Sequence, residues 1–199
     1  MLDSSWRLIA LYPHLLACCV ALGGIIISDA KCILRKGQLT ETDTVFLMEL
    51  SRIVSIALIV LWLTGLSIIA IDFSHWPSWA ELAAKAKLMA KLTVVSILTL
   101  NGYLLHRLVL PNFAARKTLC SLETARLRTM FMLGAVSATS WLFAAFLGIA
   151  KPLAAALGFT GFMAMYAALI VGAISTALLL ASKVKANPVN TETNSLLTA

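Results

Sequence analysis

The sequence predicts an all-α protein, a polytopic bundle of five membrane-spanning helices. Three observations predict it. Of its 199 residues, 60% are hydrophobic and 13% charged, where soluble domains carry roughly a quarter charged residues. Five apolar stretches are each about the ~20 residues that a helix needs to cross a bilayer. The basic residues stand mostly in the connections between those stretches. There they set membrane orientation, so the net charge of +7 does not imply a nucleic-acid partner. The partner implied is the lipid bilayer.

The first span runs about 6–27, from Trp6 to Ile27. His14 and Pro13 interrupt what would be the apolar core of a cleavable signal, and apolar sequence continues past Cys18. This stretch therefore reads as a retained first helix. Gly37 and the polar run Gln38 to Asp43 mark an exposed connection, with Thr40 or Thr42 placed to cap the next helix. The second span is about 53–71. The connection Asp72 to Lys87 carries Trp76 and Trp79, rings suited to the headgroup layer. Ser78, with Glu81 three residues on, caps a helix that starts in the interface and becomes the third span, about 88–110. The fourth and fifth spans are about 130–149 and 159–181. Residues 1–185 form a single transmembrane domain, and 186–199 is a polar, disordered tail.

Five crossings place the two ends on opposite sides. Eleven lysines and arginines fall on the side of the Lys31 loop and the C-terminus, five on the other. The positive-inside rule puts the N-terminus outside and the C-terminus in the cytoplasm. Cys32 and Cys120 then lie in cytoplasmic loops, where thiols stay reduced. Gly23 and Gly24, Gly65, Gly134 with Ala138, and Gly158 to Gly161 mark places where helices approach closely.

Ionisable groups inside spans are costly and raise functional questions. His14, about one third of the way into the first span, is either hydrogen-bonded to a neighbouring helix or a metal ligand, haem ligand or proton carrier. Cys18 lies one turn below it on the same face and offers a soft ligand for copper(I). His106 sits near the far end of the third span. It differs from His14 by more than ~15 Å in height, so the two are not an axial pair on one iron; His75 is the better-placed second histidine. Lys91, on one face with Lys87, either snorkels or binds a carboxylate. Arg52 reads as an anchor. Asn101, Thr64, Ser137 and Ser140 supply polar groups that hydrogen-bond between helices. Met130 with Met132, and Met163 with Met165, point to opposite faces in each pair and read as packing. No P-loop, GxSxG, HExxH or dinucleotide fingerprint occurs, and no reaction is named by the chain.

These residues carry a resemblance. His14 followed by Gly23-Gly24, Ser51-Arg52 running to Thr64-Gly65, and Lys91 through Asn101 to Leu110-Pro111 resemble the membrane domain of the CopD copper-resistance proteins, which are related in outline to the HemJ-type haem-biosynthesis proteins. The likeness covers about residues 14–111. Ala21 stands where a tryptophan is frequent, and His106-Arg107 where an asparagine-arginine pair is found. The CopD resemblance implies copper handling or transport in a bacterial inner membrane, with His14 as the carried-over metal ligand, beside which Cys18 stands by its spacing. The HemJ resemblance implies a haem b or porphyrin-linked redox role, with His14 and Lys91 as the carried-over positions; His106 is a further cofactor candidate as a histidine near the end of a span. A third reading is a partner subunit or homo-oligomer without its own site.

Overall fold

The computed structural model describes residues 2–34, 40–73, 75–109 and 123–186. All regular structure in them is helical: α1 (Leu2–Leu34), α2 (Glu41–Phe73), α3 (Trp79–Ala84), α4 (Ala86–Leu108), α5 (Thr124–Ile149) and α6 (Ala154–Ala186). Five of the six are long and apolar enough to cross a membrane. Leu8, Tyr12, Leu16, Ile56, Ile59 and Leu63 are each more than half exposed. Water would penalise that belt, and lipid solvates it. The chain is an integral membrane protein.

The helices overrun the predicted spans because polar ends prolong them. α2 begins at Glu41, so the polar run up to Asp43 belongs partly to its first turn. Thr40 caps that turn: Thr40 Oγ1 accepts from the Asp43 N–H at 3.2 Å, and the Thr40 N–H donates to Asp43 Oδ2 at 3.0 Å. This is a reciprocal capping box with aspartate at the third position. α1 runs on to Leu34, which puts Cys32 in a helix rather than a loop. Gly37, Cys120, Leu110, Pro111 and the 187–199 part of the tail lie outside the described residues.

The third span departs from expectation at its start. Ser78 and Glu81 do form the capping box, but the helix they open ends at Ala84. Lys85, at φ −100° and ψ 79°, leaves helical geometry, and α4 starts afresh at Ala86. The six-residue α3 presents Trp79, with Trp76 just before it, to the surroundings; both are strongly exposed.

α1 and α2 form a tight antiparallel hairpin. On α1, Ala10, His14, Ala17, Ala21, Gly24 and Ser28 recur at heptad spacing. On α2, Asp43, Leu47, Leu50, Val54, Ala57, Leu61 and Thr64 do the same. Small residues on such a stripe let backbones approach. A Cβ on Gly24 would lie 2.9 Å from Val54 Cγ2, so glycine is required there. Gly23 and Gly134 have open space instead, and do not mark contacts. Arg7 and Asp72 pair at one end of the hairpin (2.7 Å), Lys31 and Asp43 at the other (2.8 Å). These are called the His75 end and the Lys31 end below.

α4, α5 and α6 pack on one another. Near the His75 end their core is Ala90, Val94, Phe143, Leu147, Phe162 and Tyr166. Near the Lys31 end it is Val109, Leu127, Met130 and Ala181. Gly158 (φ 57°, ψ −169°) breaks helical geometry early in α6, a conformation essentially restricted to glycine. The hairpin meets this three-helix group chiefly where α1 crosses α5. There Leu98 of α4 and Trp141 of α5 pack on Ala17, Ala21 and Ala57. This apolar septum divides the cleft between hairpin and three-helix group into two compartments.

Candidate functional site

The polar groups of the spans obey one rule. A helical serine or threonine has a single hydroxyl proton, commonly donated to a carbonyl of its own helix, and at four such residues the oxygen also meets a side chain of another helix. Thr64 donates to Val60 O (2.6 Å), Ser55 to Ser51 O (2.8 Å), Thr99 to Val95 O (2.7 Å) and Ser140 to Val136 O (2.6 Å). Where that bond is made, the oxygen presents lone pairs to the neighbouring helix and its partner there donates; between Ser140 and Tyr166 either hydroxyl can be the donor. The partners are the His14 ring, the His106 ring, Trp62 Nε1–H and the Tyr166 hydroxyl.

For the histidines this points to one neutral tautomer each. His14 Nδ1 lies 2.9 Å from Thr64 Oγ1 and must carry the proton. Its Nε2 is left as a lone-pair base. An imidazole held through one N–H with the other nitrogen free is the usual arrangement of a metal-ligating histidine. At His106 the roles reverse: Nε2 lies 2.9 Å from Ser55 Oγ and donates, leaving Nδ1 as the base.

The structure brings His14, Cys18 and Lys91 together in the compartment at the His75 end. His14 is half-buried between α1 and α2, its ring over Gly65, where a Cβ would stand 3.5 Å from Cε1. Cys18 is half-buried one turn on, whereas its neighbour Cys19 is exposed to the lipid side, as their angular offset requires. Lys91 of α4 lies within electrostatic range of both His14 and Cys18. Among the described residues Lys91 has no ion-pair partner.

The remaining sequence candidates lie elsewhere. His106 belongs to the other compartment. Its anchor Ser55 and the His14 anchor Thr64 are nine residues apart on α2, about 13 Å of rise, so no single iron is shared. His75 does not join His14. Its Nε2 faces Glu81 Oε1 at 3.2 Å, and its ring packs edge-on to Phe73. Donation from the Ser78 backbone N–H, then from the Ser78 hydroxyl, holds the exposed Glu81 carboxyl below its usual range. Arg52 is exposed and pairs with Glu49 at 3.1 Å. Asn101 is buried and donates to Leu133 O at 3.0 Å, fastening α4 to α5. The Lys31–Asp43 pair escaped sequence reasoning, although Thr40 and Asp43 stand at capping-box spacing and signal an ordered helix start.

Among the described residues no group of three or more His, Cys, Asp or Glu gathers as a metal centre would require. The donor set at His14 is one imidazole nitrogen, one thiol and one ammonium. It is short of acid and net cationic, which suits an anionic ligand better than a bare cation. Comparison with protein-family models, with curated proteins and with solved structures finds no match to this chain.

Proposed function

We propose that the chain binds a porphyrin-class ligand inside the membrane, with His14 Nε2 toward the metal and Lys91 toward a carboxylate. The observation that carries this reading is Lys91: an unpaired, half-buried lysine within a span, beside a histidine whose free nitrogen is a base. Intramembrane lysines without an acid partner point to a ligand that supplies the negative charge. Thr64 orients the imidazole, and Gly65 leaves room for the ring to lie flat. An iron porphyrin held there would supply one-electron redox chemistry. The HemJ-type resemblance, carried by His14 and Lys91, supports the same reading.

Copper(I) handling is the second reading. Cys18 favours it, since a thiolate and an imidazole one turn apart are donors that copper(I) accepts. The Lys91 charge opposes it, because it repels the ion and competes for the thiolate.

Purification in mild detergent, followed by a visible spectrum, haem titration and metal analysis, separates the two. The porphyrin reading expects a Soret shift on haem addition, lost in His14→Ala, weakened about tenfold or more in Lys91→Met, and kept in His106→Ala. Stoichiometric copper with no Soret change, lost in Cys18→Ala, overturns it in favour of copper.

A further inference from the structure

The compartment at the Lys31 end contains a cavity of about 170 Å³. Its wall is mainly apolar, with Leu58, Leu98, Leu105 and Trp141 prominent. Among the described residues no Asp, Glu, Lys or Arg lines it, and its titratable lining groups are His106 and Cys32. Cavities of ~150 Å³ in protein interiors accept a benzene-sized ring. Size and wall chemistry therefore select a neutral ligand about one ring across.

The polar lining adds direction. Ser51 and Ser55 face the cavity, but their protons go to Met48 O and Ser51 O. Ser137 of α5 is different. It is 6% exposed, lines the cavity, and has no hydrogen-bond partner among the described residues. No sealed side-chain polar atom lacks a partner among those residues, so the Ser137 oxygen is not sealed and is reached from the cavity it lines. Ser28 of α1 also lines the cavity without a hydrogen bond. Two hydroxyl protons, on two different helices, are thus available to one buried space. An acceptor entering the cavity can take either proton.

We infer that this cavity binds a neutral, ring-sized carbonyl compound of the quinone head-group class, its oxygens accepting from Ser137 and Ser28. The site is independent of the His14 reading. The septum of Leu98 and Trp141 lies between them, and neither hydroxyl reaches His14.

The test uses the full chain in lipid nanodiscs and isothermal titration with duroquinone. Its methylated ring does not alkylate Cys32, which also lines the cavity. Durene, the same ring without carbonyls, is the control. Expected are saturable duroquinone binding and a preference over durene of about tenfold, the worth of one to two hydrogen bonds. Ser137→Ala removes most of that preference while leaving the ring's space intact. Gly102→Leu fills the cavity, where a Cβ meets nothing within 4 Å, and abolishes binding of both. His14→Ala binds duroquinone as the native chain does. Tighter binding of a decyl-tailed quinone assigns the ligand to the lipid phase, and equal binding to the aqueous phase; either supports the site. A cavity that holds only water shows no saturable binding to the native chain, which overturns the inference. So does an unchanged duroquinone preference in Ser137→Ala.

Discussion

His14 Nδ1–H donates to Thr64 Oγ1 at 2.9 Å, and Thr64 passes its own proton to Val60 O at 2.6 Å. With the Thr64 proton on Val60 O, the chain of donors runs from His14 to α2. It predicts opposite neutral tautomers at the two intramembrane histidines, Nδ1–H at His14 and Nε2–H at His106. Nitrogen-15 NMR of histidine-labelled protein, recorded well above the histidine titration range, reads both. Thr64→Val keeps the shape, removes the acceptor, and frees His14 to populate both tautomers. An Nε2–H signal at His14 in the native chain contradicts the geometry.

Lys31 and Asp43 meet at 2.8 Å, with the Asp43 side chain 4% exposed. Asp43 also serves the Thr40 cap. Asp43→Ala strands Lys31 and opens the helix start, a loss of about 3–5 kcal/mol. Lys31→Met with Asp43→Leu loses less than the sum of the single changes, because neither charge is then buried alone. Thermal or denaturant unfolding in detergent, run as a double-mutant cycle, measures the coupling. The exposed pair Arg7–Asp72 is the contrast, worth about 0–1 kcal/mol in water.

Gly24→Ala presses a methyl group to 2.9 Å from Val54 Cγ2 and 3.3 Å from Leu50 Cδ1. The hairpin must part slightly, at about 1–3 kcal/mol. Gly23→Ala meets nothing and gains about 1 kcal/mol of helix propensity. Neighbouring glycines thus respond with opposite sign, and melting temperatures of the two variants decide it.

Glu81 gives the pH dependence. Its carboxyl titrates lower in the folded chain than when unfolded, because Ser78 donates to the charged form. The cap on α3 is therefore fully present above the usual carboxylate range and is lost as pH falls through the lowered folded value. The Ser78 amide resonance reports this loss. Glu81→Gln removes the titration and leaves a weaker cap at every pH.

The bundle was legible in the sequence because hydropathy over twenty residues is a one-dimensional signal. The cap at Ser78 was legible because it spans four residues. The break at Lys85 was not, since nothing in an apolar run with few polar residues announces a single non-helical residue. His14 and Lys91 were legible as costly groups inside spans, and Cys18 as a soft donor one turn from His14. That Thr64 orients the imidazole depends on the register between α1 and α2. Small residues at heptad spacing encode that register, but reading it requires knowing that the two helices are partners. The cavity at the Lys31 end arises from four helices at once, and Ser137 stands out only against the many hydroxyls that bond to their own helix.

The wall made by Leu98 and Trp141 bears on how anything could travel through this protein. A solute leaving the neighbourhood of Cys18 for the far leaflet meets an indole seated on three alanine methyl groups. No side-chain rotation clears such a barrier cheaply in a close-packed interior. Passage would demand that the first two rods swing away from the other three as a unit. The conformation described is closed at that wall.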